Sequence, residues 1–277
     1  MDVKAMVLLA AAIGGGAVGA AAQEVSEQRV RTAVEDAARG LGQTVAGGSP
    51  MTAPAETTGG LGHFLASLGF GVTRVGIEDP QRSSGSADFF LPTAGARLAV
   101  GISDGLGSSG PVAGAGSLDV LVRVGLLAAR DEIEDATKTY GLGIRVGVLG
   151  ETALTPAISA SLLRTWTERI AFGAADEVSF EGEIAVTSLR ADLSKRFVFA
   201  SPYVGVGVDR ARIDASYRLP AEFSTSGQDI EASIDPSSTH QTAYAGIDVS
   251  LLVLTASVEA GIHDGGGFAA FAVRAGL

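Results

Sequence analysis

The chain has 277 residues, of which 46% are hydrophobic and 18% charged, with 38 glycines, no cysteine and a net charge of −11. Disulfide frameworks, thiolate metal sites and cysteine nucleophiles are therefore excluded, and so much acidity argues against nucleic acid, whose phosphates need a basic face. A mean hydropathy of +0.31 leaves few side chains to wet a soluble surface. It also excludes a disordered chain.

In chain order, Lys4 begins a weakly positive leader. An uncharged run follows from Ala5 to Ala22 and ends in Ala20-Ala21-Ala22 before Gln23. That layout predicts a secretory signal peptide over 1–22, cleaved after Ala22. A transmembrane anchor is the competing reading, but Gly14–Gly16 and the small-residue ending weigh against it.

The next unit, 23–60, divides in two. Val30, Val34, Ala37 and Leu41 recur at helical spacing, predicting a helix over 24–41. Gly42–Gly60 is rich in Gly, Ser, Thr, Ala and Pro, which suits a tether. The helix has two placements, a loose periplasmic extension or a plug inside the following unit. Its small stripe favours the loose extension.

From Leu61 to Leu277 the period becomes two. Leu142, Ile144, Val146 and Val148 alternate with Gly143, Arg145 and Gly147, and similar alternation runs through 118–127, 243–251 and 254–262. Successive strand residues point to opposite faces, so each segment has one apolar face and one of Gly, hydroxyl and charge. The pattern predicts ten strands, near 62–78, 96–103, 117–129, 138–150, 154–165, 178–194, 197–215, 240–251, 253–263 and 267–277. Most reach the ~9–11 residues that a tilted strand needs to cross a bilayer. In the seventh, Val204, Val206 and Val208 are followed by Ala211, Ile213 and Ala215, which predicts a bulge at Asp209–Arg210. Alternate connections are long and short, with Asp104–Gly116 departing from the pattern, and Pro80, Pro92, Pro220 and Pro236 fall in the outer ones.

A signal peptide, an even strand count and a closing terminal strand together resemble Gram-negative outer-membrane β-barrel proteins. That strand carries Phe271, Val273, Ala275 and Leu277, with Leu where the class usually ends in Phe. The resemblance covers about 61–277. It implies an all-β fold: an antiparallel up-and-down transmembrane barrel of about ten strands, with a short N-terminal helix. It also implies residence in the outer membrane, contact with its lipid, and recognition of the last strand by the barrel-assembly machinery. A soluble sandwich or lipocalin-like barrel is the structural rival. Its outer face would need more charge than this chain has.

With the apolar face outward, the lumen is predicted to hold Arg97, Asp119, Arg123, Arg145, Glu181, Glu183, Arg190, Asp192, Asp209, Asp248, Glu259 and Arg274. Opposite charges in a narrow lumen favour paired networks, and about ten strands leave little free space. The expectation is a structural barrel with a largely self-filled lumen, or a narrow passive conduit for a small solute. An uptake channel for small hydrophobic compounds with an N-terminal plug is the alternative.

No catalytic, metal or cofactor site is predicted. His63, His240 and His263 show no nucleophile or metal spacing. A rim enzyme built around His240, His263 and Asp264 is the remaining alternative. The acidic run Asp131–Asp135 lacks the glycine of a calcium loop, so it reads as a solvated loop tip. Strand-end aromatics, including Phe64, Tyr140, Trp166, Phe180, Phe197, Phe199, Tyr203 and Tyr217, are expected to form interfacial girdles.

Overall fold

The computed structural model of the chain describes residues 39–49, 53–78, 86–106, 114–127, 136–172, 179–219, 228–234, 237–251, 253–264 and 266–276. The predicted leader, most of the 24–41 helix, the acidic run, Pro80, Pro220 and Pro236 lie outside these residues.

A helix, α1, covers 39–46 of the described residues. The strands are β1 (Phe64–Glu78), β2 (Ser86–Ser103), β3 (Leu118–Leu127), β4 (Thr137–Leu149), β5 (Ala157–Thr167) and β6 (Ile170–Phe172). They continue with β7 (Ser179–Ser194), β8 (Ala200–Leu219), β9 (Ile230–Ile234), β10 (Ser237–Leu251), β11 (Leu254–His263) and β12 (Gly266–Gly276).

Ten of these form a closed antiparallel ring in the order β1-β2-β3-β4-β5-β7-β8-β10-β11-β12, back to β1. The seam runs from Leu65 opposite Gly276 to Thr73 opposite Phe268. The two short strands lengthen neighbours rather than widen the ring. β6 continues β5 along β7, and β9 continues β10 along β8.

Burial alternates along each strand, and the exposed partners are apolar. Leu68 and Ile262 are 65% and 67% exposed, and Val122, Leu142, Val204, Val258 and Phe271 also face outward. Such a belt needs a hydrocarbon environment. No helix among the described residues is long and apolar enough to cross a membrane; a closed ring of strands with an apolar outer face is itself a form that spans one. Phe64, Phe197 and Phe199 are exposed near the end with the short turns 195–199 and 252–253. Trp166 is exposed near the other end, 6.5 Å from Tyr140. Tyr203 departs from the expected girdles: it is buried and turned inward.

Three strand details differ from the sequence expectation. β2 begins at Ser86, so Pro92 sits in a strand opposite Val72 rather than in a loop. No bulge occurs at Asp209–Arg210; β8 pairs with β7 and with β10 in unbroken register through both residues. The register shifts lie instead at Gly101/Ser103 and Gly147/Leu149.

What changes in β8 is the environment of each face. Val204, Val206 and Val208 point out toward lipid. Beyond them Arg210 and Arg212 point out, while Ala211, Ile213 and Ala215 turn inward and are buried. β7 reverses at the same height: Leu189 and Leu193 face out below, and Ile184 and Val186 face in above. The strands thus rise past the apolar belt at this end, where the outside is wet and the inside is packed.

Candidate functional site: the filled lumen

The lumen is occupied by the chain's own residues 39–49 and 53–60. α1 packs Leu41, Val45 and Ala46 into an inward apolar cup with Val75, Leu91, Leu127, Ile170, Ile184, Val186, Ala211, Ile213 and Ala215. The predicted loose periplasmic placement of the N-terminal unit is therefore corrected for the described residues. Leu41, Val45 and Ala46 make too small a stripe to hold a helix in water, but the surrounding cup buries all three.

Just past α1 the chain meets the lumen's arginines. Gly47 has φ +67° and its N–H donates to Gln43 O at 3.1 Å, a left-handed helix stop that glycine adopts at no steric cost. Arg123 Nη1 then donates to the carbonyls of Val45 and Ala46, both at 3.2 Å. Arg190 donates to Gly47 O at 3.2 Å and Gly48 O at 3.3 Å. Cations suit these positions, because a helix C-terminus leaves its last carbonyls unpaired and partly negative.

Deeper, Ser49 N–H donates to Glu259 Oε1 at 3.0 Å, and Ala55 N–H donates to Ser194 Oγ at 2.9 Å. Arg145 Nη1 lies 3.4 Å from Pro54 O. Thr58 donates its hydroxyl to Asp119 Oδ1 at 2.7 Å and its N–H to both carboxylate oxygens at 3.2 Å. Glu56 pairs with Arg196 in the turn between β7 and β8. Gly59, Gly60 and Gly62, all with φ between 90° and 97°, then reverse the chain around the rim and into β1.

The walls are braced by charge. Arg145 donates from Nε and Nη2 to Asp119 Oδ2 at 2.9 and 2.7 Å, with both side chains nearly fully buried. Asp209 accepts from Arg190 at 2.8 Å, Ser188 Oγ at 2.5 Å and Thr242 Oγ1 at 2.7 Å, tying β7, β8 and β10. Asp248 pairs with Arg274 and accepts from Ser257 Oγ at 2.7 Å. Tyr203 donates to Glu259 at 3.0 Å, and Tyr244 donates to Asp192. Each of these rings lies over a glycine on the paired strand, Tyr203 over Gly246 and Tyr244 over Gly205, where a Cβ would overlap the phenol.

Of the predicted lumen charges, Asp119, Arg123, Arg145, Arg190, Asp192, Asp209, Asp248, Glu259 and Arg274 are inward and buried, and Arg97 occupies the inward register of β2. Glu181 and Glu183 are not in the lumen. They are exposed on the outer face of β7, in the stretch where the apolar side has turned inward, and Glu181 lies 3.5 Å from Arg169. The sequence pattern assigned faces by polarity alone, and that rule inverts above the lipid belt.

His240 and His263 come together near the cup, as their common strand end suggests. His240 Nδ1 is 3.2 Å from Gln43 Nε2 and its Nε2 is 2.8 Å from Ser238 Oγ. Gln43 Nε2 also donates to Asp264 O at 2.5 Å, so this neighbourhood grips α1. His263 stacks on Phe268, with ring centroids 6.1 Å apart. His63 stands apart at the opposite rim, its backbone N–H donating to Gly60 O at 3.2 Å.

A closed antiparallel ring with an apolar outer belt and a polar, filled interior is an outer-membrane-type β-barrel. No protein-family model matches the chain, and no curated protein matches it either. Among solved structures it is similar to the translocator domain of autotransporter NalP from Neisseria meningitidis. That match has 10% identity and a TM-score of 0.42, covering 78% of this chain and 87% of that one. The β domain of the Bordetella autotransporter BrkA is similar at 13% identity and TM-score 0.39, over 76% and 97% of the two chains. The outer membrane protease OmpT from Escherichia coli is similar at 7% identity and TM-score 0.39, over 78% and 95%. Likenesses this distant assign neither activity nor partner.

Proposed function

We propose that the chain is a structural outer-membrane β-barrel whose lumen is a fixed seat for its own segment 39–60, closed to solutes and without catalytic chemistry. One observation carries this reading. Arg123, Arg145 and Arg190 direct guanidinium N–H groups at backbone oxygens of Val45, Ala46, Gly47, Gly48 and Pro54. A conducting pore keeps its charged groups facing water and solute; here they are engaged by the chain itself. Both ring nitrogens of His240 are taken up by Gln43 and Ser238, which supports a gripping role over acid–base work. The charged inner lining also disfavours hydrophobic cargo.

Single-channel recording in planar bilayers tests the reading. The unaltered protein is expected to stay closed, and a variant lacking residues 39–60 to conduct. A stable open level in the unaltered protein would overturn the closed lumen, whether or not the deletion variant inserts.

A further inference from the structure

The threaded segment has a direction, and it can be read from its contacts one residue at a time. Gly60 lies against Gly101, and Thr58 against Asp119 near the start of β3. Ser49 meets Glu259 in the middle of β11. Gln43 reaches His240 and Asp264 at the far ends of β10 and β11. A Cβ on Gly40 would meet the Val75 side chain, well beyond the seam with β12. The segment therefore crosses the lumen once, from the rim where β1 begins to the opposite mouth.

The two mouths differ. The rim where β1 begins and β12 ends carries three short connections, 150–156, 195–199 and 252–253, and one longer one, 104–117. At the other mouth, β1, β2, β7 and β8 rise beyond the apolar belt, and Arg74, Arg210 and Arg212 face outward. Short turns mark the periplasmic end of such barrels, and long extensions mark the outer end. Arg39 lies at the outer end.

From this we infer that the polypeptide preceding Arg39 leaves through the outer mouth, so that the barrel holds its own chain across the membrane and presents the N-terminal residues outside the cell. An even number of strands starting from the periplasm leaves an N-terminal extension inside by default. The reversal at Gly59–Gly62 and the passage through the lumen send it out instead. The inference rests on the seating of 39–60 proposed above.

The chain has no cysteine, so single substitutions report position without background. Ser26→Cys, Glu231→Cys on the outer extension and Ala153→Cys in a short turn would each be treated with a membrane-impermeant maleimide. Treatment is done on intact cells and again after opening the outer membrane. Ser26→Cys is expected to label on intact cells as fully as Glu231→Cys, while Ala153→Cys labels only after opening. Ser26→Cys reacting only after opening, together with Ala153→Cys, would overturn the inference. An Ala55→Cys/Ser194→Cys pair separates that failure from failure of the seat, since these residues are hydrogen-bonded neighbours. A disulfide formed in the pair, with Ser26→Cys reactive only from the periplasm, rejects the outward exit alone. A pair that stays reduced in the folded barrel rejects the seat as well.

Discussion

Arg123 and Arg145 are both buried, both inward and only a few residues apart in the β3–β4 ladder, yet their leucine variants should behave differently. Arg145 has a wall partner, Asp119, held by two N–H groups at 2.9 and 2.7 Å. Arg145→Leu leaves that carboxylate buried without its cation, a change costing ~3–5 kcal/mol. Arg123 Nη1 instead bridges two carbonyls of α1, at 3.2 Å each. One donor shared between two acceptors resembles a single charged hydrogen bond, so Arg123→Leu should cost ~1.5–3 kcal/mol. Repeating both substitutions without residues 39–60 separates the two roles. The Arg145 cost should persist, because Asp119 remains. The Arg123 cost should vanish, because its carbonyl acceptors are gone and water in the opened lumen solvates the guanidinium. Urea unfolding from lipid bilayers, followed by the shift in gel mobility between folded and unfolded barrel, measures all four steps of the cycle. An Arg123→Leu cost that is the same with and without the segment would refute the seat as the arginine's purpose.

Two further outcomes follow from the walls. Val122→Arg, at mid-ladder opposite Leu98 and Leu142, should cost ~2–4 kcal/mol, while Val146→Arg, level with the start of β3, should cost ~0–1 kcal/mol; equal costs in the same unfolding assay would place the membrane midplane elsewhere. Gly205→Val should push the Tyr244 ring off its strand and strip Asp192 of that hydroxyl, costing ~1–3 kcal/mol, and Tyr244→Ala in the same chain should relieve the overlap; an unchanged midpoint for Gly205→Val alone would count against the ring's position.

The ring was legible because lipid imposes one rule along most of its height. Leu142, Ile144 and Val146 alternate with Gly143 and Arg145 wherever hydrocarbon lies outside and a narrow polar space inside. The rule fails above the belt, where Glu181 and Glu183 meet water outside and Ile184 and Val186 meet α1 inside. A reader of polarity alone then assigns the wrong faces, or inserts a bulge at Asp209 to keep the faces constant. The start of β2 was hidden by a different cause. Phe89, Phe90, Leu91 and Pro92 break the alternation, although an exposed proline can occupy a strand position that asks for no N–H bond. The seat left the faintest trace. Its wall partners bind backbone carbonyls and N–H groups, which every residue carries, so Arg123 and Val45 share no sequence signature. The usable signals were glycines: Gly47 just past the helix stripe, and Gly59, Gly60 and Gly62 before the first strand.

The two zones of the lumen make the segment part of the fold rather than an addition to it. Without α1, the cup of Val75, Leu127, Ile184 and Ile213 would open an apolar surface to water at the outer mouth, losing the burial that stabilises it. Without 45–58, Arg123 would lose both carbonyl acceptors, Ser194 its Ala55 N–H donor, and Asp119 its Thr58 donors. A helix with its side chains is ~10–12 Å across, and residues of β1, β2, β3, β6, β7 and β8 all pack in one cluster with it. Glycines reversing the chain at 59–62 also join the segment directly to β1, one of the two seam strands. Closing β1 on β12 therefore encloses the segment. The contacts that seal the lumen can be complete only when the ring is complete.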